Sequence, residues 1–286
     1  MIPEPVAVQG VPQTVDGRQI AVVADADTAI GRAIAVALVA AGHDVAVLGR
    51  DASQLDQLST TILQRGGRAL AIELERRDPE VMNAAADEVE QRLGEIAAWV
   101  NIESFGRPPL EDSYIARANG ALAAARVMAP RSRGVIVTIN SVESFRPDGE
   151  HPMEAAESFA LRGFMQSLRT DLLRRRRGVH IVNFYLPARN LRPAWGDSAG
   201  DDQELQAIGR AVVRAVRGGR QDRFYGLGMW MSVQWARLAP GISDHLMARR
   251  LEEGAERHRS AGTAARELGR ATAERAREIF ELAATP

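Results

Sequence analysis

Short apolar runs alternate with longer amphipathic stretches through residues 19–185. Residues 20–24 are β-branched and apolar, as a parallel strand buried on both faces requires. Residues 30–41 are apolar and Ala-rich, and Gly42 is placed to end a helix there. The same alternation predicts strands at 45–48, 69–74, 97–101, 134–140 and 179–185. Between them it predicts helices at 52–65, 79–93, 113–128 and 153–176. Strands alternating with helices imply a doubly wound α/β parallel sheet with right-handed crossovers. Its ligand crevice is expected where the loops after Ala24, Leu48, Leu74, Asn101, Asn140 and Tyr185 converge, at the carboxyl ends of the strands.

The flanks read differently. Residues 1–17 are rich in Pro, Gly and Val and are expected to form an extended arm. Residues 18–222 are expected to form the α/β domain, and 223–286 a C-terminal helical extension. That extension begins with an apolar segment holding Trp230 and Trp235 and ends in a charged, Ala-rich helical pattern. Its Met/Trp helix suits either packing over the domain's open face or contact with a partner, a membrane surface or an apolar substrate.

Composition narrows the chemistry. Lys+Arg is 36 against 37 Asp+Glu, a net charge of −1, so neither nucleic-acid binding nor a polybasic membrane contact is expected. Every one of those cations is arginine. Without lysine, no Schiff base and no Lys-assisted acid is available. Without cysteine, disulfides, thiolate nucleophiles and Cys-based zinc sites are excluded, and no metal site is expected. The N-terminal stretch lacks the basic and apolar regions of a signal peptide, and no run of eighteen apolar residues occurs. The expected location is cytoplasmic.

Residues 134–173 begin with the strand GVIVTINS and continue into a long helix. This stretch closely resembles the catalytic strand and helix of the short-chain dehydrogenase/reductase family, in which a Ser precedes Tyr-x-x-x-Lys. Ser141 matches. The Tyr position holds Glu154 and the Lys position holds Ser158. The resemblance implies a Rossmann-like fold, a nicotinamide cofactor and a proton-donating Tyr whose pKa the Lys lowers. Glu and Ser supply neither of those roles. The segment from Asn101 to Ser141 is also shorter than the family's usual one, and Asn119 lies near, but out of register with, the family's proton-relaying Asn.

The resemblance extends to the cofactor positions. The family's Thr-Gly-x-x-x-Gly-x-Gly loop aligns with residues 24–31, where Asp25 and Ala29 replace glycines and Gly31 is kept. Glycine allows backbone N–H groups to approach a pyrophosphate at a helix N-terminus. Asp25 is expected to add negative charge on the path of an anionic ligand, with Asp27 nearby. Thr28, Ile30 and Gly31 would line the loop. Arg50 matches the place where NADP-preferring members carry an Arg, or is a solvated strand-end residue. Glu75 matches the adenine-contacting position. Of the family's Asn-Asn-Ala-Gly only Asn101 is kept, followed by Ile102, Glu103 and Ser104, and Pro187-Ala188 replaces Pro-Gly.

The expected reading is a repurposed or degenerate family member with no cofactor or weak NADP(H). It would bind a small apolar carbonyl or acyl compound without ordinary hydride transfer. Glu154 is either a general acid/base facing Ser141 or a carboxylate stabilised at its helix N-terminus. A Ser141/His151/Glu154 hydrolase set has no nucleophile elbow to support it. Tyr185 is expected to face the core, and residues 174–177 to form a solvated helix end. The alternatives are a silent structural subunit paired with an active relative, and a residual NADP-dependent oxidoreductase. The expected partners are a small-molecule substrate and either a second copy in a homo-oligomer or an active relative in a heteromer.

Overall fold

The computed structural model describes residues 18–102, 110–147, 151–187, 190–191, 202–219 and 222–239, with several positions between 241 and 249. The expected arm at 1–17, the tail beyond 250, and Glu103, Ser104 and Ala188 lie outside these residues. The chain divides into two compact units, Met1–Val233 and Gln234–Pro286.

The first unit is built on seven parallel strands: β1 (Gln19–Ala24), β2 (His43–Gly49), β3 (Ala69–Glu73), β4 (Ile96–Ile102), β5 (Gly134–Ser141), β6 (Val179–Leu186) and β7 (Asp222–Phe224). Their order is β3-β2-β1-β4-β5-β6-β7. The order reverses between β1 and β4, which opens a crevice at their carboxyl ends. The helices are α1 (Ala29–Ala40), α2 (Ala52–Gln64), α3 (Pro79–Arg92), α4 (Leu110–Met128), α5 (Pro152–Arg174), α6 (Asp202–Gly218) and α7 (Leu227–Leu238).

Strand alternation distributes side chains between two cores. Ala21, Val23, Val135, Val137 and Ile139 meet α1, α2 and α6 on one face. Ile20, Val22, Trp99 and Ile136 meet α3, α4 and α5 on the other. This double burial explains why β2, β4 and β5 are mostly apolar, every residue of each being buried, with their polar residues chiefly at the strand ends.

Two elements go beyond the expected order. The pattern reading assigns nothing between β6 and Arg223, whereas α6 fills 202–218. Ile208, Val212, Val213 and Val216 form its buried stripe. Gly209 lets α6 approach α1 closely, since a Cβ there would fall 2.7 Å from the Ala33 carbonyl oxygen. β7 extends the sheet across the expected 222/223 boundary and pairs with β6 through Asn183, Phe184 and Tyr185. Three residues carry too little periodicity to be seen without β6 beside them. In α7, Leu227, Trp230 and Met231 are exposed.

Candidate functional site

All seven strands run parallel, so the loops that follow them share one edge of the sheet. At the β1–α1 turn, Asp25 adopts φ 59°, the left-handed region that glycine enters most easily. Its carboxylate does not face the crevice unopposed. Arg77, in the loop between β3 and α3, grips it with Nη1 to Oδ2 and Nη2 to Oδ1, both at 2.7 Å. Both side chains are more than nine-tenths buried. Burial pulls the Arg77 guanidinium pKa down, but Asp25's charge and hydrogen bond, with Asp27 adding, raise it overall. Asp25, expected to add negative charge on the ligand path, is one half of a buried ion pair with two close contacts.

The rest of the turn is also internally bonded. Thr28 caps α1, its Oγ1 accepting from Gly31 N at 3.1 Å and donating to Asp25 O at 2.7 Å. Gly31 is required by space, because a Cβ would fall 2.8 Å from Ala26 Cα and closer still to the Asp25 carbonyl oxygen. The Ile30 side chain is buried in the apolar core. Asp27, also buried, accepts from Arg50 N at 3.1 Å and lies against Gly49. Arg32 donates to Asp27 O at 2.8 Å. The Arg50 and Glu75 side chains are exposed.

At the end of β4, Asn101 is buried and its Oδ1 accepts from Trp99 Nε1 at 2.9 Å. Gly120 of α4 leaves room for that amide, since a Cβ would stand 2.5 Å from Oδ1. Asn119 donates to Arg77 O at 2.9 Å, so its amide braces the loop that carries Arg77.

The catalytic-strand region is equally well packed. Ser141 ends β5 fully buried, and its Oγ accepts from Glu143 N at 3.1 Å, capping a 3₁₀ turn at Val142–Ser144 that packs against α5. Glu154 lies half-buried in the first turn of α5, and His151 is that helix's N-cap without a side-chain capping bond. Ser158, one turn further along, is fully buried, and Asn140 Nδ2 reaches its carbonyl at 3.4 Å. Pro187 follows β6, with its carbonyl accepting from Asn190 N at 3.0 Å. Tyr185 is core-facing and fully buried. It stacks on Phe224 at 4.9 Å and meets Phe145 edge-on at 4.8 Å. Arg162 covers the Phe145 ring at 4.2 Å. At the helix end, Arg174 and Arg175 pair with exposed Asp171.

Three features were missed from sequence. Arg77 lies in a charged run that reads as solvated. The buried Arg117–Glu157 pair, 2.5 Å apart between α4 and α5, joins two helices whose registers no local pattern relates. The Phe145–Tyr185–Phe224 cluster depends on β7. Among the described residues no group of His, Asp and Glu could hold a metal ion, and no helix is long and apolar enough to cross a membrane.

The turn has the backbone shape of a dinucleotide loop, with Gly31 kept. Within it Thr28 Oγ1 caps Gly31 N, and the carboxylates of Asp25 and Asp27 meet Arg77 and the Arg50 N–H. A strand–turn–helix opening of this shape, on a sheet in this order with Ser141 at the end of β5, defines a dehydrogenase-type scaffold.

The comparisons with known proteins agree. The family described as short chain dehydrogenase matches residues 19–107. A short chain dehydrogenase of Pseudocercospora fijiensis is 26% identical over 212 residues, covering 69% of this chain and 67% of that protein. The 1-cyclohexenylcarbonyl-CoA reductase of Streptomyces collinus is 26% identical over 185 residues, covering 60% and 65%. This chain thus matches about two thirds of the length of each. The crystal structure of a short chain dehydrogenase from Burkholderia cenocepacia in complex with NADP superposes with a TM-score of 0.62 at 25% identity, covering 74% of this chain and 97% of that one. The chain is thus similar to the short-chain dehydrogenase/reductase family, by the family model over residues 19–107 and by its fold.

Proposed function

We propose that this protein binds a small apolar carbonyl or acyl compound at the carboxyl edge of the sheet and acts on it by acid/base chemistry rather than ordinary hydride transfer. The carrying observation is the pair of side chains on the first turns of α5. Glu154 stands where the family places its proton-donating Tyr, and fully buried Ser158 stands where it places Lys. No lysine exists anywhere in the chain to replace that cation. A carboxyl group is able to take or give a proton beside a carbonyl, the step needed for isomerisation, dehydration or cyclisation. The aromatic cluster of Phe145, Tyr185 and Phe224 supplies an apolar neighbourhood for such a ligand. The name of the Streptomyces relative, an acyl-CoA reductase, supports the substrate class.

The test is a β-hydroxyacyl thioester followed by ultraviolet absorbance for loss of water. Glu154→Gln, with its circular dichroism unchanged, is expected to lower that rate by about 100-fold or more. An unaffected rate removes Glu154 from the chemistry. A second reading, a residual NADP-dependent oxidoreductase, is favoured by the NADP bound in the Burkholderia relative. Carbonyl reduction coupled to NADPH oxidation would establish it and overturn the first.

A further inference from the structure

We propose that the nucleotide crevice of this chain is closed from within: its own side-chain oxygens hold the donors that an adenosine diphosphate would need. The inference deepens the reading above, on which it rests, by giving a physical reason for the absence of ordinary hydride transfer.

Three donor groups near the carboxyl ends of β1 and β2 meet internal acceptors, although in the Arg77 guanidinium only Nη1 makes a hydrogen bond and Nη2 is held by charge alone. The Gly31 N–H, at the α1 N-terminus where an anion would dock, is held by Thr28 Oγ1. The Arg77 guanidinium, the buried cation next to the turn, is held at two points by Asp25. The Arg50 N–H at the end of β2 is held by Asp27 Oδ2. Two carboxylates therefore lie on the path of a ligand that carries two negative phosphates. Asp25 also holds a backbone conformation that glycine adopts more easily, and Arg77 fixes it there. Asn119, by bonding Arg77 O, holds the Arg77 loop in place. Charge balance makes this arrangement self-consistent: Arg77 neutralises Asp25, so the closed turn is stable without a ligand.

Replacing the carboxylates should then open the site. Asp25→Gly restores the residue the turn geometry favours and frees Arg77 to meet an anion. Adding Asp27→Ser removes the second charge while keeping an acceptor for the Arg50 N–H. The probe is ADP, which reports only the adenosine and phosphate half and is blind to Ser141, Glu154 and Ser158. By calorimetry the wild-type protein is expected not to saturate at millimolar ADP. The double variant should bind at least about 10-fold more tightly, and ADP should raise its melting temperature.

If unpaired Arg77 prevents Asp25→Gly from folding, Asp25→Asn tolerates the left-handed turn, removes the charge, and should show the same direction of change. Wild-type saturation below about 100 μM would overturn the proposal, as would folded variants that bind ADP no better than wild type. The latter result, with wild type also silent, would leave the reading of absent hydride transfer standing. NADPH-coupled carbonyl reduction by the wild type would remove both.

Discussion

The sharpest stability prediction concerns Arg117 and Glu157. Arg117 Nη1 meets Glu157 Oε1 at 2.5 Å, and Arg117 Nε donates to Ile102 O at 2.8 Å. Both side chains are only 4% exposed. Arg117→Met deletes the cation, leaves the buried Glu157 carboxylate without it and removes the donor to the Ile102 carbonyl. Removing one partner of a buried ion pair costs about 3–5 kcal/mol, chiefly from the charge left behind. For a unit of roughly 150–250 residues, each kcal/mol lowers the melting temperature by about 2–4 °C, so a drop of about 6–20 °C is expected. Urea unfolding monitored by circular dichroism measures the free energy and thermal melting the shift. The double variant Arg117→Met/Glu157→Leu leaves no orphan charge and should recover most of the loss, with ΔΔG far below the sum of the single changes. A single-variant cost below about 1 kcal/mol, or additive costs in the double variant, would refute the argument that a desolvated charge dominates.

Two further outcomes follow from the structure. Gly31→Ala forces a methyl against the backbone of Asp25 and Ala26, which cannot move without opening the Asp25–Arg77 pair; urea unfolding should show a loss of about 3 kcal/mol, and a neutral result would mean the turn is looser than described. His43 has a lowered pKa, first from burial and then from the charges of Arg217 and Arg18, against the opposing effects of Leu38 O and Asp44. The unfolded chain therefore takes up the proton first as pH falls below about 6.5, so stability present at neutral pH declines towards the folded-state pKa. His43→Gln should flatten that part of a stability profile measured between pH 7 and 5, and an unchanged slope would assign the decline to other groups.

The order of strands and helices was legible in the chain because burial on both faces leaves a local signature. Residues 20–24 and 135–137 are continuous apolar runs, and helices such as 52–65 carry apolar positions at helical spacing. Gly42, placed to end α1, has φ 93° beyond its last turn. The likeness around Ser141, Glu154 and Ser158 was equally local, since one strand and the helix after it contain all three. α6 carries buried positions at helical spacing, Ile208, Val212 and Val216, but lies between less patterned segments.

What the sequence could not determine was the pairing of charges across the fold. Asp25 and Arg77 are 52 residues apart, and Arg117 and Glu157 are 40 apart. A carboxylate replacing glycine reads as an obstacle until the sheet order brings the β1 and β3 loops to the same edge and supplies its counter-charge. Periodicity records which side of an element is buried. It carries no information on which buried charges meet, because that depends on crossovers and helix registers set only when both cores close around the sheet.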